Sequence, residues 1–152
     1  MDAATTGPAA TPRPKTPIWF WIVAVLAVLW NGMGLWGYVS YQLFTEAYME
    51  ALTEPQRALF MAMPTWYVAI WALSVTTAFL GSVGLLIRTK YAVWLFAVAL
   101  VGFILTCIYS YGVMGSAEAM GTTGIVFSVI IGISLAALLW LSHWAKGRGI
   151  LR

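Results

Sequence analysis

Four long stretches of the chain are almost wholly apolar and contain no Asp, Glu, Lys or Arg. They cover residues 18–42, 65–87, 91–114 and 122–145. A helix crosses the hydrocarbon core of a bilayer with about 20 apolar residues at a rise of ~1.5 Å each. Short connections after the second and third stretches favour antiparallel neighbours. The pattern therefore predicts an all-α integral membrane protein whose domain, residues 18–145, is an up-down-up-down four-helix transmembrane bundle.

The first stretch is the least obvious of the four, because it is strongly apolar only from Ile18 to Trp30. The following LWNGMGLWGYVSYQ contains an asparagine, three glycines and several hydroxyl groups. Thirteen residues are too few to span a bilayer, so we expect the helix to continue through these polar positions to residue 42. A cleaved signal peptide is the alternative, and the absence of a clear A-x-A site disfavours it.

Of the segments outside the four stretches, one is predicted to be flexible and another to be helical. Residues 1–17 contain four prolines and no large apolar residue except Met1, so we expect a flexible cytoplasmic tail. In the long connection after the first stretch, Thr53 and Gln56 fit a capping box, and Pro55 suits a first helical turn. This connection should therefore contain a short amphipathic helix from about Glu54 to Met61, on the membrane surface or capping the bundle.

The charged residues fall on two sides of the predicted bundle. Four crossings place seven basic residues on the side of both termini: Arg13, Lys15, Arg88, Lys90, Lys146, Arg148 and Arg152. The other side holds Arg57 with four carboxylates, Glu46, Glu50, Glu54 and Glu118. The positive-inside rule then predicts that both termini are cytoplasmic and that residues 146–152 form a basic cytoplasmic tail. Glu46 and Glu50, on an outward continuation of the first helix, are interpreted as a solvated acidic rim, with cation capture as the minor alternative.

Composition limits the possible functions. The chain has 152 residues, of which 62% are hydrophobic and 9% charged, whereas soluble domains are roughly 25% charged. This length leaves no room for a soluble catalytic domain, and the basic residues form no stripe for nucleic acid. One cysteine, one histidine and no charged residue within a span give no catalytic, cofactor-binding or metal site. We predict a non-enzymatic protein without a cofactor.

Polar side chains within the spans concentrate at the predicted midplane and in the half away from the termini. Asn31 is expected near the midplane, among Thr76, Thr77 and Ser134. Two explanations remain open: hydrogen bonds between helices, or a polar cavity that opens outward. The residues predicted to form this cavity or network are Trp30, Asn31, Tyr38, Trp71, Thr76, Thr77, Thr106 and Ser134.

Small residues recur at helical spacing in all four spans, most plainly in the fourth. Such small-xxx-small spacing is typical of close helix contact, either within one chain or between chains. The residues predicted to pack in this way are Gly34, Gly81, Gly102, Gly124, Ser128, Gly132 and Ala136.

Four segments of the chain carry a resemblance: PIWFW, LWNGMG, LTEPQRALFMAMPTWYVAIWAL and GSVGLLIRTKYAVWLF. Over roughly residues 17–114 the chain resembles small four-span bacterial inner-membrane proteins, which are labelled uncharacterised or, loosely, "sugar transporter". The resemblance implies the bacterial inner membrane and a neutral solute such as a sugar.

Two hypotheses of function follow. The first, from the small-residue stripes, is a helix-bundle accessory or interaction subunit, or a homo-oligomer, whose partners are the bilayer and another membrane protein. The second, from the polar residues and the resemblance, is a facilitative transporter of a small neutral solute that acts as a dimer.

Overall fold

The structure is a computed structural model that describes residues 15–43 and 45–152. It contains six helices: α1 (Ile18–Leu43), α2 (Thr45–Glu50), α3 (Glu54–Met61), α4 (Thr65–Leu86), α5 (Ala92–Gly112) and α6 (Ser116–Gly147). Of these, α1, α4, α5 and α6 are long and apolar enough to cross a membrane. The predicted all-α bundle of four spans, with a short helix between the first two, is confirmed. The predicted flexible tail lies, as far as residue 14, outside the described residues.

The bundle has two ends, which we name by what they carry. The α3 end holds α2, α3 and the turn between α5 and α6. The terminal end holds residues 15–17, the turn between α4 and α5, and the C-terminus. Along the described chain, Arg57 is at the α3 end, and the other basic residues are at the terminal end. The assignment of the terminal end to the cytoplasm stays a prediction.

The sides of the bundle are covered by exposed apolar residues. Large side chains such as Leu29, Trp36, Leu80, Ile108 and Ile133 point away from the core. A surface of this kind would drive aggregation in water, but it is the normal surface of helices surrounded by hydrocarbon. The chain is therefore a multi-pass integral membrane protein.

Glycines bring neighbouring helices into close contact. A methyl group added at Gly81 of α4 would lie 3.2 Å from the Phe96 ring of α5. At Gly102 of α5 it would lie 3.1 Å from the Ser74 Cβ of α4. These positions leave no space for a side chain, so α4 and α5 pack backbone against side chain over most of their length.

The terminal end is filled by a dense apolar core. Phe20, Leu85, Phe96, Ala92 and Ala145 are fully buried there. Because dense packing of this kind has few voids larger than a water molecule, it seals the terminal end of the bundle.

The C-terminal residues are part of this seal. Ile150 and Leu151 are buried after the turn that ends α6. The Arg152 N–H donates to the Arg88 carbonyl (2.7 Å), and the Lys90 N–H donates to the Arg152 carbonyl (2.9 Å). The basic segment 146–152 is thus fastened across the turn between α4 and α5, and α6 itself continues to Gly147.

At the opposite end, α3 lies against the bundle. Its bounds, Glu54–Met61, are those predicted from the capping box, and the Thr53 N–H donates to Gln56 Oε1 (3.1 Å). Leu59 and Phe60 of α3 are buried, so its apolar face covers the end of the bundle. The expected outward continuation of the first helix is the separate helix α2, which carries Glu46 and Glu50.

A break inside α6 separates its first turn from the long span. Gly121 has φ 62° and ψ −167°, which is outside the helical region and disfavours a side chain. The predicted start of the fourth span at Thr122 coincides with this break. Met120 lies against Gly124, where an added methyl group would collide with the Met120 side chain.

Candidate functional site: a cavity beneath α3

A cavity of ≈360 Å³ occupies the half of the bundle nearer α3. All four spans and α3 contribute to its lining. Asn31, Ala78 and Leu135 lie at its deep end, and Leu59 and Phe60 of α3 lie at the other. A cavity of this size is near the lower end of the ~300–1,000 Å³ range of small-molecule sites.

Aromatic side chains make up much of the wall. Seven line the cavity: Trp30, Phe60, Tyr67, Trp71, Phe103, Tyr111 and Phe127. Among the residues described as lining it, there is no Asp, Glu, Lys, Arg or His. The surroundings therefore suit an uncharged ligand with a large apolar surface.

An aromatic cluster attaches α3 to the bundle above the cavity. The Trp71 ring contacts the rings of Tyr38 (5.2 Å between centroids), Tyr41 (5.5 Å) and Phe60 (6.3 Å). Tyr48 of α2 also contacts Phe60 (5.6 Å). Burial raises the pKa of Tyr48, and the neighbouring Tyr41 adds to this shift. The cluster joins α1, α2, α3 and α4, and it holds α3 in place as a roof.

Most hydroxyl groups around the cavity have already donated their hydrogen. Ser74 donates to the Ala99 carbonyl (2.8 Å), and Thr106 donates to the Phe103 carbonyl (2.8 Å). Ser110 and Ser116 form a hydrogen bond with each other. The Ser74 and Thr106 oxygens can still accept a hydrogen bond, but they cannot supply one to a ligand, whereas only one hydroxyl of the Ser110–Ser116 pair donates within the pair.

Two polar groups in the lining remain available. Asn31 is 9% exposed, and its Nδ2 donates to the Ala27 carbonyl and to Ser82 Oγ, each at 3.0 Å. A carbonyl only accepts, so the atom beside Ala27 must be the nitrogen, and this fixes the amide orientation. Within the described chain, Asn31 Oδ1 and the Trp71 indole N–H have no hydrogen-bond partner. The cavity thus offers the Asn31 amide oxygen as an acceptor and the Trp71 indole as a donor, besides the hydroxyl oxygens that can still accept.

Each pair of neighbouring spans is joined by a hydrogen bond. Asn31 links α1 to α4, and Ser74 links α4 to α5. The Tyr111 hydroxyl and Ser128 Oγ link α5 to α6 at 2.7 Å. Trp30 Nε1 donates to Ser134 Oγ (3.2 Å) and so links α1 to α6. Polar groups in the spans therefore serve both as helix contacts and as part of the cavity wall.

The eight polar and aromatic residues predicted from the sequence divide into two groups. Four line the cavity: Trp30, Asn31, Trp71 and Thr106. Four do not: Tyr38, Thr76, Thr77 and Ser134. Tyr38 and Ser134 instead contact two of the lining residues, Trp71 and Trp30.

Asn31 bonds neither of the two threonines, Thr76 and Thr77, that were expected at its depth on α4. Its partner there is Ser82, five residues beyond Thr77, whose hydroxyl bonds the carbonyls of Leu73 and Ser74 in its own helix. Asn31 of α1 thus lies level with a position further along α4 than equal depths in the membrane would give. At ~1.5 Å per residue, five residues are ~7.5 Å.

Three of the small residues predicted to pack lie against another helix of the chain. Gly81 and Gly102 meet Phe96 and Ser74, and a methyl group at Gly132 would lie 3.2 Å from the Phe103 ring. The others differ in place: Gly124 lies against Met120, Ser128 bonds Tyr111, and Gly34 and Ala136 are exposed.

The sequence reasoning missed several lining or supporting residues. Ser82 lies between two glycines in GSVG, and Ser74 is one helical turn before Ala78. This spacing could have indicated both serines as polar groups on a helix face of small residues. Phe103, Tyr67 and Tyr111 gave no such indication, because aromatic residues in a span are usually assigned to lipid or to the interface.

Comparisons with known proteins add no relative to this picture. No family model, no curated protein and no solved structure matches the chain. Among residues 15–43 and 45–152, no group of three or more His, Cys, Asp and Glu is placed to hold a metal ion. Four long apolar helices, packed as a bundle around a closed-ended cavity, identify the chain as a four-span integral membrane protein.

Proposed function

We propose that the protein binds a small, neutral organic molecule in the cavity beneath α3 and acts without catalysis. One observation carries the proposal: an uncharged, aromatic-walled cavity of ≈360 Å³ lies within the membrane-spanning part of a small bundle. Empty space of this size reduces packing and stability, so a bundle that needed only to fold or to associate would gain from filling it.

The lining favours a solute with few hydrogen-bonding groups. Asn31 Oδ1 and the Trp71 N–H are available, but Ser74 and Thr106 have already used their protons. A molecule with many hydroxyls would place several of them against the aromatic and aliphatic wall, and each hydroxyl left unpaired there costs about 1–3 kcal/mol. A sugar, implied by the resemblance, is therefore a less suitable ligand than a weakly polar molecule.

Filling the deep end of the cavity tests the proposal. In Ala78→Leu, the added side chain occupies space that Asn31 and Leu135 now border. Purified protein in lipid nanodiscs would be titrated with a panel of neutral molecules of graded polarity, with tryptophan fluorescence as the readout. For a molecule that binds, Ala78→Leu should raise the Kd roughly tenfold or more, which is ~1.4 kcal/mol.

The matched control is Ala69→Leu, an equal change on the exposed face of the same helix. It should leave the Kd unchanged. The proposal fails if no neutral molecule in the panel binds, or if the two variants behave alike while both remain folded.

Facilitative transport is a further step of this proposal. The terminal end is sealed by Phe20, Leu85 and Phe96, so a carrier would have to open that core to release its solute. Liposomes containing the protein should then equilibrate a bound solute faster than empty liposomes. Asn31→Ala should slow this exchange, and no acceleration across a panel that includes sugars would count against a carrier.

Association with a second copy or with another membrane protein remains the second candidate. Its support is the exposed face of α6 around Ala136, which is exposed while Gly124, Ser128 and Gly132 are half-buried. Crosslinking in native membranes is the test, and a strictly monomeric protein without neighbours would refute it.

A further inference from the structure

The cavity is closed in the direction of both membrane faces. Toward the terminal end, the buried core of Phe20, Leu85 and Phe96 leaves no passage. Toward the α3 end, Leu59 and Phe60 lie across the cavity and are themselves buried. The aromatic cluster of Tyr41, Tyr48, Phe60 and Trp71 fixes this roof.

Three of the four sides are closed as well. Between α4 and α5, a methyl group at Gly102 would lie 3.1 Å from the Ser74 Cβ. Between α1 and α4, the Phe79 ring lies 3.5 Å from the position of a methyl group at Gly32. Between α5 and α6, the Phe103 ring packs on Gly132, and Tyr111 bonds Ser128.

The fourth side, between α1 and α6, is open on the α3 side of Trp30. Trp30 bridges these helices through Ser134 and through its ring contact with Phe127 (5.9 Å). Beyond Trp30, toward the α3 end, no hydrogen bond or ring contact joins α1 to α6 in the described chain. There α1 lines the cavity with Met33, Gly34 and Gly37, and a methyl group at either glycine would meet nothing within 4 Å.

The residues beside this opening are themselves exposed. Met33 is 58% exposed, and Phe127, on the α6 side, is 49% exposed, although both also line the cavity. Gly34 and Gly37 lie nine and six residues before the end of α1, or ~14 Å and ~9 Å at the helical rise. The opening is thus at the depth of lipid chains rather than at the aqueous surface.

We propose that the cavity is entered sideways from the bilayer, through the portal between α1 and α6. Its ligand is a membrane-dissolved molecule that is mainly hydrocarbon and carries one hydrogen-bonding group. This inference rests on the proposed function and specifies its ligand class and its route. The apolar wall accepts the hydrocarbon part, and Asn31 Oδ1 or the Trp71 N–H binds the polar group. A water-soluble solute would have to cross lipid chains to reach the same opening.

The side chains of α5 provide a test within a single helix turn. Cys107 lines the cavity, whereas its neighbour Ile108 is 65% exposed on the outer surface. The protein in lipid vesicles would be illuminated with a small, lipid-dissolved aryl diazirine, whose carbene inserts into any nearby side chain. Mass spectrometry then gives the labelling of Cys107 relative to that of Ile108.

Gly34→Leu is the variant that blocks the portal, because its side chain extends into the open space beside the cavity. We expect Cys107 labelling to fall roughly tenfold, since the packed walls do not deform to readmit the probe, while Ile108 labelling stays constant. Gly112→Leu, an exposed glycine of α5 with equally open space and no place in the lining, is the control. It should leave the ratio unchanged.

The possible results separate the two proposals. Strong Cys107 labelling that Gly34→Leu does not reduce would overturn the lateral route and leave the binding cavity in place. Labelling of Ile108 with none of Cys107 in the unaltered chain would overturn the route as well. The binding proposal itself fails on the separate nanodisc titration, if no neutral molecule binds or if folded Ala78→Leu and Ala69→Leu bind the panel alike.

Discussion

The hydrogen bond between Asn31 and Ser82 should contribute measurably to the contact between α1 and α4. Asn31 Nδ2 donates to Ser82 Oγ at 3.0 Å, and Ser82 donates in turn to the Ala78 carbonyl at 2.9 Å. Both side chains are buried. Replacing Asn31 by alanine removes this bond and the bond to Ala27 in its own helix.

The geometry sets the size of the effect. Hydrogen bonds between membrane helices are worth about 0.6 kcal/mol on average and at most about 1.7 kcal/mol. Burial and the short distance favour the upper part of this range, so we expect a coupling energy of about 1 kcal/mol. Asn31→Ala should destabilise the protein by about 1–2 kcal/mol, and Ser82→Ala should have a comparable effect, because each removes the bond between the helices and one bond within its own helix.

A double-mutant cycle measures this coupling. The four proteins would be unfolded reversibly in mixed detergent micelles with increasing denaturing detergent, followed by circular dichroism. Ser142→Ala is the matched control, because the Ser142 hydroxyl is buried but donates only within α6, to Leu139 (2.8 Å). Its effect should add to that of Asn31→Ala. The reasoning is refuted if the Asn31–Ser82 coupling is within the ~0.3–0.5 kcal/mol error of additivity.

Three other predictions concern packing, pH and orientation. Gly81→Ala forces a methyl group against the Phe96 ring and should destabilise the protein by about 1–3 kcal/mol, whereas Gly112→Ala should be nearly neutral. Thermal unfolding in detergent compares the two variants, and equal melting temperatures would contradict the tight contact. Burial raises the pKa of Tyr48, so the stabilisation that the neutral Tyr48 side chain provides is present below the usual pKa of about 10 and is lost as the pH rises through the raised value. The absorbance of the phenolate should show a transition at high pH that Tyr48→Phe removes. Both termini should be cytoplasmic: fluorescent-protein fusions at either end should be bright and alkaline phosphatase fusions inactive, and the opposite pattern would reverse the orientation.

Much of the fold is determined locally and could be predicted from the sequence. Membrane spans depend on length and apolarity alone, because an unsatisfied backbone in hydrocarbon leaves few alternatives to a helix. The capping box at Thr53 and Gln56 gave the bounds of α3, and Gly121 marked the break before the fourth span. These features each need only a few consecutive residues.

The candidate site depended on information that no single segment contains. Trp30, Asn31, Trp71 and Thr106 were named from their polarity or depth, but their common cavity exists only because five helices meet around it. Ser82 was missed because the offset between α1 and α4 is decided by the fit of Gly32, Phe79 and their neighbours. The offset of one helix along the axis of its neighbour cannot be predicted from the hydropathy of either segment.

The sequence by itself determined that this chain crosses a membrane four times and which segments do so, since the transfer of apolar residues into hydrocarbon depends on composition and length. Only the tertiary structure decided that Gly81, Gly102 and Gly132 are used within the chain, that α3 roofs a cavity, and that a gap remains between α1 and α6. Close packing depends on side chains from distant positions in the chain. Where these side chains do not fill the space between the helices, a cavity remains, and where α1 and α6 do not meet, a portal remains.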